Sequence, residues 1–197
     1  MPSSGKIFIG DKDTSTMARE AMVKKVSVVF QDVYLLPTTV ERNITLDVRT
    51  EREKYNRAIN LSGIDKKINS LDDKGNTLLV REVNEEAKAL SGGEIQKLAL
   101  SRALYKGGDI VVLDEPTAAL DPIAENELYL KYNELIDGKT AVFISHRLSS
   151  TQFCDRILFL ENGKIAESGT HDELMKLGGG YAHMYQVQSQ NYRPDNS

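Results

Sequence analysis

Three short stretches of the chain are apolar or β-branched without alternation: VSVVF (26–30), IVVL (110–113) and TAVFIS (140–145). Strands of that kind are buried on both faces, as in a parallel sheet with helices on either side. A further stretch, ILFLENGKIAESG (157–169), sets Asn162-Gly163 between two strand-like runs and predicts a hairpin. Between the strands, apolar positions recur at helical spacing over about 51–62, 92–106, 123–136 and 171–177. Strand and helix thus alternate through the second half, which predicts an α/β layered fold. The stretch 47–88 carries much charge and no strand pattern, and reads as a mainly helical insert. LGGG (177–180) breaks the chain before a last short helix, and SQNYRPDNS (189–197) reads as a frayed tail.

The totals narrow the class without naming it. A chain of 197 residues accommodates one sizeable domain with a small insert. Its 25 basic and 29 acidic side chains, for a net charge of −4, give no electrostatic reason to expect nucleic acid. The single cysteine, Cys154, excludes an internal disulfide and suits a reducing compartment. No apolar run approaches the ~18 residues of a membrane span, and the first ten residues, MPSSGKIFIG, lack a signal-peptide pattern. These features predict a soluble, cytoplasmic domain.

The densest chemistry lies in DIVVLDEPTAALD (109–121). Four apolar residues run into Asp114 and Glu115, and Pro116 stops further regular pairing. Ligand crevices of open α/β sheets lie beyond the carboxyl ends of the strands, where both carboxylates fall. One could orient a Mg²⁺ and its waters while the other polarises an attacking water. Taken alone, the pair reads as a helix N-terminal cap and a solvated acid, and the second buried strand ending at His146 is what turns the reading toward a metal. TAVFIS is followed by His146, a candidate contact to a γ-phosphate or to the water, or else a polar loop residue. VSVVF ends at Gln31, which either holds a metal-bound water or begins a turn with Asp32.

A different kind of site opens the 92–106 helix. Ser91 and Glu94 have capping-box spacing, so SGGE marks a helix start with outward-pointing N–H groups. Gly92 and Gly93 remove the side chains that would keep a phosphate oxygen from those amides. Ile95, Leu98, Ala99 and Ala103 then supply a core-facing stripe. The plainer alternative is an ordinary capped helix.

Taken together and in this order, these residues closely resemble the nucleotide-binding domain of ABC transporters. LSGGE (90–94) is similar to the family signature, IVVLDE (110–115) to its Walker B strand and catalytic glutamate, and AALD (118–121) to its D-loop. His146 resembles the switch histidine and Gln31 the Q-loop glutamine, and the resemblance covers essentially all of 5–188. It implies an ABC-type P-loop NTPase fold that uses ATP and Mg²⁺. Glu115 and His146 would be catalytic, Asp114 and Gln31 would serve the metal, and Gln31, Ser91, Gly92, Gly93 and Asp121 would contact nucleotide. In the family two such domains pair head to tail, so Ser91, Gly92 and Gly93 would bind the γ-phosphate of a partner's ATP.

The resemblance also implies an organisation. Residues 1–46 would form a partial RecA-like core, and 47–89 an α-helical subdomain touching a membrane-spanning domain. Residues 90–188 would complete the core, with 189–197 a flexible tail. PTTVERNI (37–44), 145–174 and GGYAHMYQVQ (179–188) resemble the exporter branch, which works at the cytoplasmic face of the cell membrane. In that light His171 is expected to be a turn residue, His183 a surface residue and Cys154 a packing residue.

One part of the family pattern does not occur. No G-x-x-x-x-G-K-[ST] segment is present, and Gly5-Lys6 is followed by Ile7. PSSGKIFIGDKD (2–13) instead resembles the strand after that loop's helix, which implies a chain starting just past the Walker A helix and its preceding strands. Losing several charge-assisted hydrogen bonds at roughly 1.5–3 kcal/mol each would remove on the order of 5–8 kcal/mol, where micromolar binding needs about 8. The expectation is the C-terminal part of an exporter ATPase that alone binds MgATP very weakly and bares apolar surface. The alternative is a non-catalytic module donating LSGGE in trans to a partner that owns a P-loop. A DNA-repair ATPase of the same superfamily would need a long coiled coil before the signature, and 32–89 holds none.

Overall fold

The structure, a computed structural model, describes residues 2–81, 83–116, 136 and 138–191. It forms two compact units, Met1–Ile144 and Ser145–Ser197.

The first unit is built on a three-stranded parallel sheet of β3 (Val26–Val29), β4 (Ile110–Asp114) and β5 (Thr140–Ile144), with β4 in the centre. Val29 pairs with Leu113 and Leu113 with Phe143, so the three strands expected from the sequence end side by side. Ahead of them, β1 (Phe8–Ile9) and β2 (Lys12–Asp13) make a small antiparallel hairpin where a single strand had been expected. A short helix, α1 (Arg19–Lys25), runs directly into β3.

One long helix organises the rest. α5 (Gly92–Lys106) lays Ala99, Leu100 and Ala103 against Val29, Val111 and Leu113 of the sheet. The opposite sheet face is partly open, with Val142 45% and Ile144 49% exposed. The unbroken apolar runs therefore mark one face that is buried on β3 and β4 and half-buried on β5, and one partly covered face. On its other side α5 meets α2 (Val40–Thr45), α3 (Arg52–Ser62) and α4 (Asp65–Ser70) through a second core containing Ile44, Ala58, Ile59, Ile64 and Leu98. Ser62 and Ser101 share a buried hydroxyl–hydroxyl hydrogen bond of 2.6 Å between α3 and α5. The charged stretch is helical as far as a 3-10 turn at Lys74–Asn76; beyond it, isolated bridges tie Leu78 to Thr39 and Leu79 to Lys88.

The second unit holds the expected hairpin, β6 (Ile157–Glu161) and β7 (Lys164–Gly169). Asn162 and Gly163 both have positive φ, 50° and 74°, as a two-residue type I′ turn requires. α6 (His171–Leu177) opens on a Thr170/Glu173 capping box, and α7 (Gly180–Asn191) packs its fully buried Tyr181 with Leu148, Ile157 and Leu174. His171 is thus the first residue of a helix rather than a turn residue, with Nδ1 2.8 Å from the Tyr181 hydroxyl. Cys154 is half-buried against this core and His183 is exposed. The helix expected at about 123–136 lies outside the described residues apart from Ile136. The expected tail begins as helix up to Asn191, and 192–197 lie outside them. Among the described residues no helix is long and apolar enough to cross a membrane.

The turn from α5 into β4 sets the sheet's pairing. Gly108 donates its N–H to the Ser27 hydroxyl at 3.0 Å, and a Cβ there would lie 2.8 Å from both the Lys25 carbonyl oxygen and the Ser27 nitrogen. A Gly108→Ala variant is expected to lose about 1–3 kcal/mol in urea denaturation. A loss below about 0.5 kcal/mol, the range of neutral surface changes, would show that β3 and β4 can part at this point.

Candidate phosphate and metal site

The capping box predicted at the start of α5 is formed. The Ser91 hydroxyl accepts from the Glu94 N–H at 3.3 Å, and the Glu94 carboxylate accepts from the Ser91 N–H at 2.8 Å. Lys67 of α4 reaches the same carboxylate at 3.0 Å. Burial pushes the Glu94 carboxyl up, but the Ser91 N–H and the Lys67 ammonium together hold it below its ordinary value of 4.5. Ser91 and Gly92 are exposed and Gly93 half-buried, so the first turn presents its backbone toward solvent. The first N–H groups of a helix have no intrahelical partner, and with the dipole they favour an anion.

The carboxyl ends of β3 and β4 bring together three predicted residues. Gln31, just past β3, donates from Nε2 to Glu115 Oε2 at 2.9 Å. Asp114 closes β4 opposite Ile144, and Glu115 follows with φ 46°, its N–H donating to the Ile144 carbonyl at 2.9 Å. A non-glycine residue in the left-handed region costs roughly 1–2 kcal/mol, and such strain collects where a side chain must be aimed. Both carboxylates are half-buried.

Among the described residues no three His, Cys, Asp or Glu side chains group closely enough to cage a metal. One carboxylate and one amide oxygen nevertheless suit Mg²⁺, which keeps several waters and takes further oxygens from phosphates. Asp114 would supply the carboxylate. Gln31 turns its amide nitrogen to Glu115, so the amide oxygen is the atom that would face a metal.

Three residues that sequence reasoning passed over hold this edge in place. Gln96, one turn into α5, is 6% exposed; it donates from Nε2 to the Gln31 carbonyl at 3.3 Å, while its Oε1 is buried without a partner. Asn43 is fully buried: its Oδ1 accepts from the Leu36 N–H at 2.8 Å and its Nδ2 donates to the Leu36 carbonyl at 3.0 Å. Arg102 of α5 donates from Nε to the Asn43 carbonyl at 2.7 Å and also reaches the Tyr34 carbonyl. The segment after Gln31 is therefore tied to the helix that carries LSGGE. The signal available in the sequence was a polar residue, Gln96, inside the apolar stripe of a helix.

His146 belongs to the second unit, two residues past the end of β5 in the chain, and is exposed; its carbonyl accepts from Gln188. Asp121 lies outside the described residues.

Comparison with known proteins decides the family. The sequence pattern described as "ABC transporter" matches residues 1–118. The chain belongs to the ABC transporter family. Its fold is the ABC-type P-loop NTPase fold, with a parallel sheet flanked by helices. It is 36% identical over 189 residues to the ATP-dependent lipid A-core flippase of Burkholderia pseudomallei (strain 1710b), covering 96% of this chain and 31% of that protein. The flippase of the same description from Cupriavidus pinatubonensis is 34% identical over 191 residues, covering 95% and 32%. A solved bacterial Atm1-family ABC exporter with ATP bound superposes with a TM-score of 0.87 at 30% identity, covering 96% of this chain and 33% of that one. The ABC chain thus spans about a third of the length of these relatives.

Two outcomes follow for the ABC site. A Gln96→Met variant removes the orphaned oxygen together with the donor to Gln31, so urea denaturation is expected to give stability equal to wild type or up to about 2 kcal/mol higher. The Gln31 backbone carbonyl should meanwhile lose its hydrogen-bonded NMR shift; clear destabilisation would make Gln96 a plain core residue. For Glu94 the folded value lies below the unfolded one, so its ionised contribution is complete above the unfolded value and lost as pH falls through the folded value. The stability gap between wild type and Glu94→Gln should be constant above about pH 6 and narrow below it; a gap widening on acidification would contradict the depressed carboxyl.

Proposed function

We propose that this chain is the C-terminal part of the ATP-hydrolysing domain of an ABC exporter, whose parent couples MgATP binding and hydrolysis to export. The observation that carries the reading is the Gln31–Glu115 hydrogen bond at the ends of adjacent parallel strands, with the capped LSGGE helix tied to the same edge through Gln96. Glu115 polarises the attacking water as general base, and Gln31 holds that carboxylate in place. Asp114 and the Gln31 amide oxygen would hold Mg²⁺, which when bound would supply charge neutralisation to the phosphate oxygens. His146 contacts the γ-phosphate. Ser91, Gly92 and Gly93 present hydroxyl and backbone N–H groups to the γ-phosphate of ATP held by a second nucleotide-binding domain, and Asp121 would serve nucleotide binding.

The partners on this reading are that second domain and a membrane-spanning transporter domain, with no nucleic acid. The work is done at the cytoplasmic face of the cell membrane. The 197 residues contain no Walker A segment, so alone they bind MgATP very weakly and do not hydrolyse it. The alternative, a module donating LSGGE in trans without chemistry of its own, leaves the Gln31–Glu115 arrangement without a use.

The test has two arms. Calorimetry of the chain with MgATP should give no detectable heat, whereas clear micromolar binding would show that some other segment replaces the missing loop. Substituting this chain for the matched segment of the Burkholderia flippase should then give an ATPase that Glu115→Gln slows about 100-fold or more. A folded, ATP-binding chimaera indifferent to Glu115→Gln would sink the catalytic reading in favour of the trans-donor module.

A further inference from the structure

The backbone on either side of Arg147 is held by one side chain from the end of the second unit. Gln188, on α7, accepts from the Leu148 N–H through Oε1 at 2.9 Å and donates from Nε2 to the His146 carbonyl at 2.5 Å. One amide thus engages the carbonyl and the N–H that flank a single residue, the pairing a neighbouring strand would offer. Arg147 between them is fixed by Ser145, whose hydroxyl accepts from the Arg147 N–H at 2.9 Å and donates to the Arg147 carbonyl at 3.2 Å. Four successive backbone groups around His146 are therefore committed to two side chains.

The clamp has a rigid base. Tyr181, seven residues before Gln188 and so on the same face of α7, is fully buried; its hydroxyl lies 2.6 Å from Thr151 Oγ1 and 2.8 Å from His171 Nδ1. Thr151 donates in turn to the Leu148 carbonyl at 2.7 Å. α7 is thereby locked to the 3-10 helix Leu148–Phe153 and to α6, and Gln188 projects from that locked helix onto the two backbone groups beside Arg147.

We infer that Gln188 is a positioning residue for His146: the C-terminal helix, not the preceding strand alone, sets where the imidazole stands. The inference deepens the proposed function, since it rests on reading His146 as a γ-phosphate contact. A change at the end of α7, far along the chain from the Walker B carboxylates, would act on catalysis through the histidine's backbone.

The test uses the whole chain, isotope-labelled and without nucleotide, so it stands apart from the outcome of the ATPase experiments. Gln188→Met keeps the size and helical preference but removes both hydrogen bonds. Exchange of the Leu148 amide should accelerate about tenfold or more, and the His146 carbonyl and imidazole resonances should shift, with the cooperative unfolding midpoint retained. Gln188→Glu at neutral pH can accept but not donate, so Leu148 should stay protected while the His146 carbonyl signal moves. That split separates positioning from packing. Unchanged Leu148 exchange and His146 signals in Gln188→Met would overturn the inference. So would loss of native signals across 145–191 in both variants, which would make Gln188 a structural residue.

Discussion

Helix α5 is buried on two sides at once, and the first unit takes its arrangement from that constraint. Ala99 and Ala103 pack it against the sheet, and the Ser101–Ser62 hydrogen bond joins it to α3 on the other side. Larger side chains such as Leu98 and Leu100 fill the remaining space, each contributing roughly 1.5–3 kcal/mol when fully buried. Tyr105 ends the same helix by accepting from the Glu51 N–H at 3.1 Å, which ties down the start of α3. A helix fixed from both sides cannot shift its first turn independently of the sheet. The LSGGE cap and the strand ends bearing Gln31 and Glu115 are therefore set by one packing arrangement.

Within that rigid frame two unfavourable features fall at the candidate site. Glu115 sits in left-handed backbone, and Gln96 buries an amide oxygen without a partner, an arrangement costing on the order of 1–3 kcal/mol. A methionine at 96 would pack as well without that cost. Retaining glutamine makes sense if its nitrogen is needed to hold the Gln31 carbonyl, because that residue's side chain reaches Glu115. Asn43 and Arg102 show the opposite case, polar groups made cheap by complete pairing.

What could be read from the sequence had a strong local signal. The three strands, α3, α5, α6 and the Asn162-Gly163 hairpin follow from apolar periodicity, capping residues and turn chemistry. The motif residues Gln31, Asp114 and Glu115 were legible because strand ends concentrate chemistry in this fold class. α1 and α2 were not: seven and six residues are too short to establish a helical period, and α1 buries none of its side chains. The bridges at Leu78 and Leu79 depend on partners about ten or forty residues away. Gln96, Asn43, Arg102 and Gln188 bind mainly backbone atoms, and a backbone partner leaves no residue type in the sequence to point to it. For His171 the family resemblance points to a turn, and its tie to Tyr181 on another helix has no local signal in the chain.

The Gln31–Glu115 contact joins residues 84 positions apart, and the Lys25–Asp109 pair at the other end of the same strands spans the same interval. Closing so long a loop carries an entropic cost that only non-local contacts repay, so β3 must wait for β4. α2, α3, α4 and α5 all lie within the interval and can nucleate locally before it closes. On a growing polypeptide Glu115 would thus emerge only after the scaffold that receives it. An arrest at any earlier stage would leave a helical intermediate with an unpaired parallel strand and an unformed candidate site. The same architecture that ties the signature helix to the carboxylate makes the assembled site a late product of folding, and so a report that the rest of the unit has already formed.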